Sequence, residues 1–322
     1  MSPATRALMA RFRRQTSVLE PTLRRAWLRG IARLEREVTE TDLIRILRSQ
    51  SVDQLIADLY TADAIEQAFA ELRVGVRNGV ARSATAFQRE LPRTAVPGIA
   101  FDVLSPHVLT ALRDLDTKVM QGLVAEVQET VRQHVRAGLV AGEGPATLAR
   151  SLRGVLGLAP NQEAAIRNFE RMLRTGDAEA LTRTLRDRRF DGTLQRAFAG
   201  DGLSEAQITR MTEAYRRGMV GFNAETHART ATLDATKRGQ ALAWEQAVEQ
   251  GFIDGGRLRK RWATVGDDRV RPTHVAMNGE VVPADQPYSN GQMVPGEDEY
   301  NCRCISAFFL VRAGGPVPLT RR

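Results

Sequence analysis

Cysteine, histidine and aromatic residues are scarce: 2 Cys, 4 His and 6% Phe, Trp and Tyr in 322 residues. Two cysteines cannot frame a disulfide-built fold, and the opening "MSPATRALMARFRRQTSV" has no secretory signal pattern. The expectation is therefore assembly in a reducing, intracellular compartment. That stretch is basic and free of acids, as in an organelle transit peptide, but its helical spacing runs unbroken into "LEPTLRRAWLRGIARL". No uncharged apolar run approaches the ~18 residues of a membrane-crossing helix, so no membrane partner is expected. Absent too are the local motifs of conventional enzymes: a glycine-rich phosphate loop, G-x-S-x-G, or H-E-x-x-H.

What is present is apolar, helical and basic. A 43% apolar content can supply a core. The 46 basic against 38 acidic residues leave a formal charge of +8 and a pI near 10.2. Arginine dominates the excess, and its planar fork suits phosphate contacts, although a GC-rich genome produces the same bias. Leu23, Trp27, Ile31, Leu34 and Val38 recur at helical spacing. So do Leu55, Leu59, Ile65, Phe69, Leu72 and Val76 behind an S-x-x-Q capping box at Ser51. "LPRTAVPGIAFDVLSPHV" (91–108) reads as a connector. Helices resume at about Val108, and Pro145 opens one at its first position. Ser204 and Gln207 form a second capping box, opening a long central helix over about 204–250. Its small stripe, Ala224, Ala228, Ala231, Ala235 and Gly239, invites another backbone to approach. After Gly251 turn residues crowd together, Asn278-Gly279 reads as a hairpin turn, and "CRCISAFFLV" is the most apolar strand.

The expected fold is therefore mainly α: an elongated multi-helix body, then a small C-terminal α+β module with a short sheet. The expected divisions are a helical region at 1–110, a helical body at 111–252, the module at 253–312 and a loose tail at 313–322.

Chemistry-bearing residues concentrate in the module. On a strand, Cys302 and Cys304 point to the same side, so the pair reads as buried packing, as a disulfide, or as two metal ligands with His274 as third and Asp267 or Asp268 as fourth. Zinc is the metal such a set suits, and no other cofactor is indicated. An extended C-x-C places its sulfurs badly for a disulfide. "WATVGDDRVRPTH" gathers acids, arginines and a histidine, which reads as a charged, self-pairing turn or as the Asp267, Asp268 and His274 of a metal-dependent nuclease or hydrolase. Arg257, Arg259, Lys260 and Arg261 form a basic stretch suited to phosphate contact or to a solvated turn. His107, His134 and His227 lie in helical context, without acids arranged around them.

Taken in order, "KRWATVGDDRVRPTHVAMNGEVV" and "MVPGEDEYNCRCI" resemble the phage head morphogenesis family, the Mu F-like minor head proteins. The matching residues are Trp262, Asp268, Arg269, Arg271, His274, Gly279, Pro295, Cys302, Arg303 and Cys304. The resemblance covers roughly residues 130–312. It implies a structural, non-enzymatic minor capsid protein, located inside the virion head and made in the host cytoplasm. The implied partners are the portal protein, a major capsid or scaffolding protein, and packaged double-stranded DNA. The implied role is head assembly or DNA delivery.

Overall fold

In a computed structural model, residues 3–49, 52–89, 91, 101–297 and 299–312 are described. Among them are eleven α-helices and one three-stranded antiparallel sheet. The helices are α1 (Pro3–Glu37), α2 (Glu40–Ser49), α3 (Val52–Leu59), α4 (Ala62–Ala68), α5 (Ala70–Gln88), α6 (Pro106–Val140), α7 (Pro145–Arg153), α8 (Pro160–Thr175), α9 (Asp191–Arg196), α10 (Glu205–Glu249) and α11 (Pro272–Met277). The strands are β1 (Leu258–Ala263), β2 (Val281–Pro283) and β3 (Ile305–Leu310). The mainly helical class and the small C-terminal sheet are as expected. The proposed cap at Ser51, residues 92–100 of the connector, and the tail at 313–322 lie outside the described residues.

Local chemistry sets several boundaries. The Ser204 box is closed on both sides: Gln207 N–H donates to Ser204 Oγ, and Ser204 N–H donates to Gln207 Oε1. The 45-residue helix α10 follows. Pro145 is the first residue of α7, where its missing N–H has no helical role. Thr61 caps α4 through Ala64 N–H, so the helical pattern from Leu55 to Val76 is divided among three helices. Asn278-Gly279 joins α11 to β2 rather than two strands, because Pro272 has already started a helix in "HVAM".

The chain forms two compact units. One comprises the described residues of Trp27–Glu71 and Met120–Glu225. Its core includes Trp27, Phe69, Val131, Leu156, Phe169 and Tyr215. Within it, buried His134 bridges Glu163 (2.6 Å) and Ser151 (2.8 Å).

The other unit comprises the described residues of Met1–Ala26, Leu72–Val119 and Thr226–Arg322. Leu8, Met9 and Phe12 of α1, Ala84 and Phe87 of α5, and Ala243 of α10 pack with Ala263 and Ile305 of the sheet. A neighbouring cluster joins Trp244 and Ala247 of α10 to Leu258 of β1, and Trp244 stacks on Phe308 at 5.7 Å. The α+β segment is thereby seated on helices drawn from far earlier in the chain.

The small stripe of α10 lets α5 approach closely. A Cβ at Gly239 would sit 2.5 Å from the Val80 carbonyl oxygen and 2.9 Å from the Ala84 nitrogen. Both are backbone atoms of α5 and cannot rotate away. Beside them, Asp116 is 5% exposed and receives three bonds from Arg73 and one from Arg77, at 2.6–3.1 Å. Burial pushes its pKa up, but the two guanidiniums outweigh burial and hold it below its ordinary value.

Three substitutions check these features by their effect on stability. Gly239→Ala gains helix propensity of about 1 kcal/mol yet is expected to destabilise by about 1–2 kcal/mol net, because the overpacking is against backbone. Gly122→Ala, on the exposed face of α6 with open space around it, is expected to stabilise by up to about 1 kcal/mol in the same urea titration. Asp116→Asn is expected to cost about 1.5–3 kcal/mol at neutral pH. Since the folded pKa is depressed, that contribution is present above the ordinary value of 3.8 and is lost as pH falls through the lower folded value. The gap between wild type and variant should close on acidification.

Candidate functional site

The strand β1 is central, flanked by β2 and β3 in the order β2-β1-β3. Strand alternation puts Leu258, Lys260 and Trp262 on its buried face and leaves Arg261 outward. Fully buried Trp262 meets the rings of His274 (5.0 Å, 75°) and Tyr288 (5.0 Å, 85°) edge to face. Tyr288 Oη and Ser306 Oγ are hydrogen-bonded at 2.9 Å, and burial raises the tyrosine pKa.

This aromatic floor carries the thiols. Pro272 starts α11, which delivers His274, 2% exposed, to a position where Nδ1 is 3.6 Å from Cys302 Sγ and 3.6 Å from Cys304 Sγ. Nε2 bonds Glu299 Oε1 at 2.9 Å, and Arg271 pairs with Glu299 Oε2 at 2.9 Å. The donor atoms of His274, Cys302 and Cys304 all lie within 4.8 Å of one another, and among the described residues they are the group of this kind. Within the pair, Cys302 receives a hydrogen bond from the Cys304 thiol and lies near Lys237, so its pKa falls. The Cys304 pKa rises as its proton is held between the sulfurs.

Both cysteines precede β3 rather than lying in it. Their approach is set by Asn301 at φ 58, whose N–H donates to Thr230 Oγ1 of α10 at 3.0 Å. It is set also by Gly296 at φ 72, where any Cβ would collide with the Cys302 side chain. Arg303, between the thiols, turns away to hold Asp267 with two bonds of 2.7 Å, and these bonds bring the carboxyl down to about 2. Asp268 is exposed. Neither aspartate joins the sulfur-imidazole group, so the carboxylates of the hydrolase reading are not assembled with His274.

The basic stretch is a strand, with a divided fate. Arg261 is exposed and lies over the Phe309 ring. Arg257 donates through Nε to Val311 O, and Arg259 to the carbonyls of Gly256 and Leu258. Lys260 is 1% exposed, and burial lowers its pKa to about 8. Its Nζ donates to Met293 O at 2.9 Å, which removes it from any phosphate-facing surface. Acidic partners also stand beside two histidines expected to lack them: His134, above, and His107, which meets Glu245 at 2.8 Å.

Lys118 and Lys237 are not among the residues the sequence singles out, and Lys260 is grouped there with arginines. The chain has three, Lys118, Lys237 and Lys260, and all three donate to main-chain carbonyls of one loop. Lys118 reaches Glu297 O, and Lys260 reaches Met293 O. Lys237 of α10, 2% exposed, reaches both Pro295 O (2.8 Å) and Cys302 O (2.7 Å). A compact ammonium with tetrahedral donors suits convergent carbonyls, where the broad guanidinium fork does not. The signal was there to be read: lysine is rare in a chain whose surface charge is arginine.

A cavity of about 810 Å³ lies beside this loop, lined by Asp114, Lys118, Asp234, Arg238, Glu245 and Glu297 among others. Burial pushes Asp234 up to about 6, against the opposing pull of Lys237 and Lys118. Its lining does not include the sulfur-imidazole group.

These features define a mainly helical protein with a C-terminal α+β module organised around a buried His-Cys-Cys cluster. The model of the phage Mu protein F like proteins matches residues 129–307, and the chain belongs to that family, one of phage head morphogenesis proteins. The matched segment contains every module residue named above from Arg257 to Cys304. No curated protein and no solved structure matches the chain.

Lys237→Met is expected to destabilise by about 2–4 kcal/mol, because it strands two buried carbonyl oxygens. Lys118→Met, at an exposed position, should cost less than about 1 kcal/mol. Urea unfolding of the two variants measures the difference.

Proposed function

We propose that the protein is a minor component of the phage head. It binds the portal or inner capsid surface, contacts packaged double-stranded DNA without sequence preference, and supports head assembly or DNA delivery. The observation that carries this reading is the family match across residues 129–307. The formal charge of +8 supports contact with a polyanion, since arginine-rich surfaces release counterions from phosphate backbones. The exposed Arg261 offers one such contact. A hydrolytic reading gains no support from the module, where Asp267 is engaged by Arg303 away from His274.

Co-expression with the portal, scaffolding and major capsid proteins of the same phage tests the proposal. The chain is expected to co-sediment with portal and to enter proheads at substoichiometric copy number. A chain found wholly outside proheads and unbound to portal would defeat it.

A further inference from the structure

We propose that His274 Nδ1, Cys302 Sγ and Cys304 Sγ bind one zinc ion, with water as fourth ligand, and that the ion is a structural staple rather than a hydrolytic centre. This goes beyond a role in the phage head and stands or falls separately from it.

The first support is distance. With Zn–S of about 2.3 Å and Zn–N of about 2.0–2.1 Å, a tetrahedral site needs a sulfur-nitrogen edge of about 3.5–3.6 Å. Both edges here are 3.6 Å. The second is valence. Glu299 accepts from Nε2 at 2.9 Å, which leaves Nδ1 a single lone pair facing two sulfurs. Nδ1 can accept from one thiol alone, which leaves the other to donate to its neighbouring sulfur. An ion at the centre takes one lone pair from each of the three atoms.

The surroundings are those of a metal site. A carboxylate on the far nitrogen of a ligand histidine fixes the tautomer and raises its basicity, and Arg271 holds that carboxylate in turn. The buried Trp262 indole N–H has no hydrogen-bond partner in the wall it shares with the two cysteines. Two thiolates and an imidazole form a soft donor set that selects zinc over magnesium or calcium. Binding displaces the two thiol protons to solvent, and the two thiolate charges then balance the divalent ion.

Size assigns the role. The three ligands are 2–3% exposed. The cavity they border, shared with Asn301, Arg269, Arg271 and Arg303, has a volume of about 20 Å³. That is room for one water and far too little for a phosphodiester. What the ion does is tie α11 to the segment entering β3, 28 residues further along the chain.

The test uses the full chain purified under reducing conditions without chelator. Elemental analysis is expected to find about one zinc per chain. Cobalt titrated into the chelator-stripped protein should give tetrahedral visible bands and a thiolate-to-cobalt charge-transfer band. The thermal midpoint should fall on stripping and recover with zinc. Cys302→Ser and Cys304→Ser are each expected to lower bound metal at least ten-fold, and Glu299→Gln to retain metal with about 10–100-fold weaker affinity. Should the cysteine variants fail to fold, the wild-type cobalt spectrum decides alone. No zinc or cobalt bound by folded wild type would overturn the site, as would a cobalt spectrum lacking the thiolate band. Metal retained undiminished by the Cys302→Ser, Cys304→Ser double variant would overturn it too. Zinc-dependent cleavage of plasmid DNA, abolished in His274→Gln, would overturn the structural role.

Discussion

Everything in the C-terminal module hangs on a loop that has almost no regular structure of its own. Between β2 and β3 the described residues from Ala284 to Cys304 form no helix or strand; carbonyls such as those of Tyr288 and Val294 accept from within the loop, but those of Met293, Pro295, Glu297 and Cys302 take donors from elsewhere. Three ammonium groups supply them: Lys118 from α6, Lys237 from α10 and Lys260 from β1. Burying a lysine is costly unless its proton donors are used. Lys237 answers that cost with two carbonyl acceptors and Lys260 with one acceptor and the Tyr288 ring, 5.0 Å away.

The held loop then positions Glu299 and Cys302, and these meet a histidine brought by a separate short helix. Trp262 forms the wall that both share, packed with Met277, Tyr288 and the two cysteines. Behind the sheet, the close approach of α10 to α5 at Gly239 and the paired charges of Asp116 hold the helices on which the sheet rests. The module is thereby held by residues from distant parts of the chain.

Much of this was readable in advance where the cause is local. The two-sided Ser204 cap and the long apolar and small-residue periodicity located α10, because hydrogen bonds between residues three apart and spacings of three and four are properties of neighbouring residues. Pro145 marked a helix start for the same reason. The convergence of His274 with the cysteines was anticipated from ligand chemistry and from the ordered family motif. The placement of "RLRKRW" was not: a strand and a basic turn share that composition, and only pairing on both edges of β1 fixes which side chains point inward. That is why Lys260, grouped by composition with surface arginines, is enclosed. Asn278-Gly279 was misleading because the dipeptide tolerates positive φ in any tight turn, whichever elements it joins.

Composition, periodicity and capping determined the helical class, the extent of α10 and the small sheet near the C-terminus. All of these follow from interactions between residues close in sequence. The tertiary structure alone decided that three scattered lysines close on one loop, that Asp267 serves Arg303, and that two thiols face one imidazole nitrogen. Those arrangements join residues from 28 to 179 positions apart, and contacts at such separations arise only when packing brings the elements together.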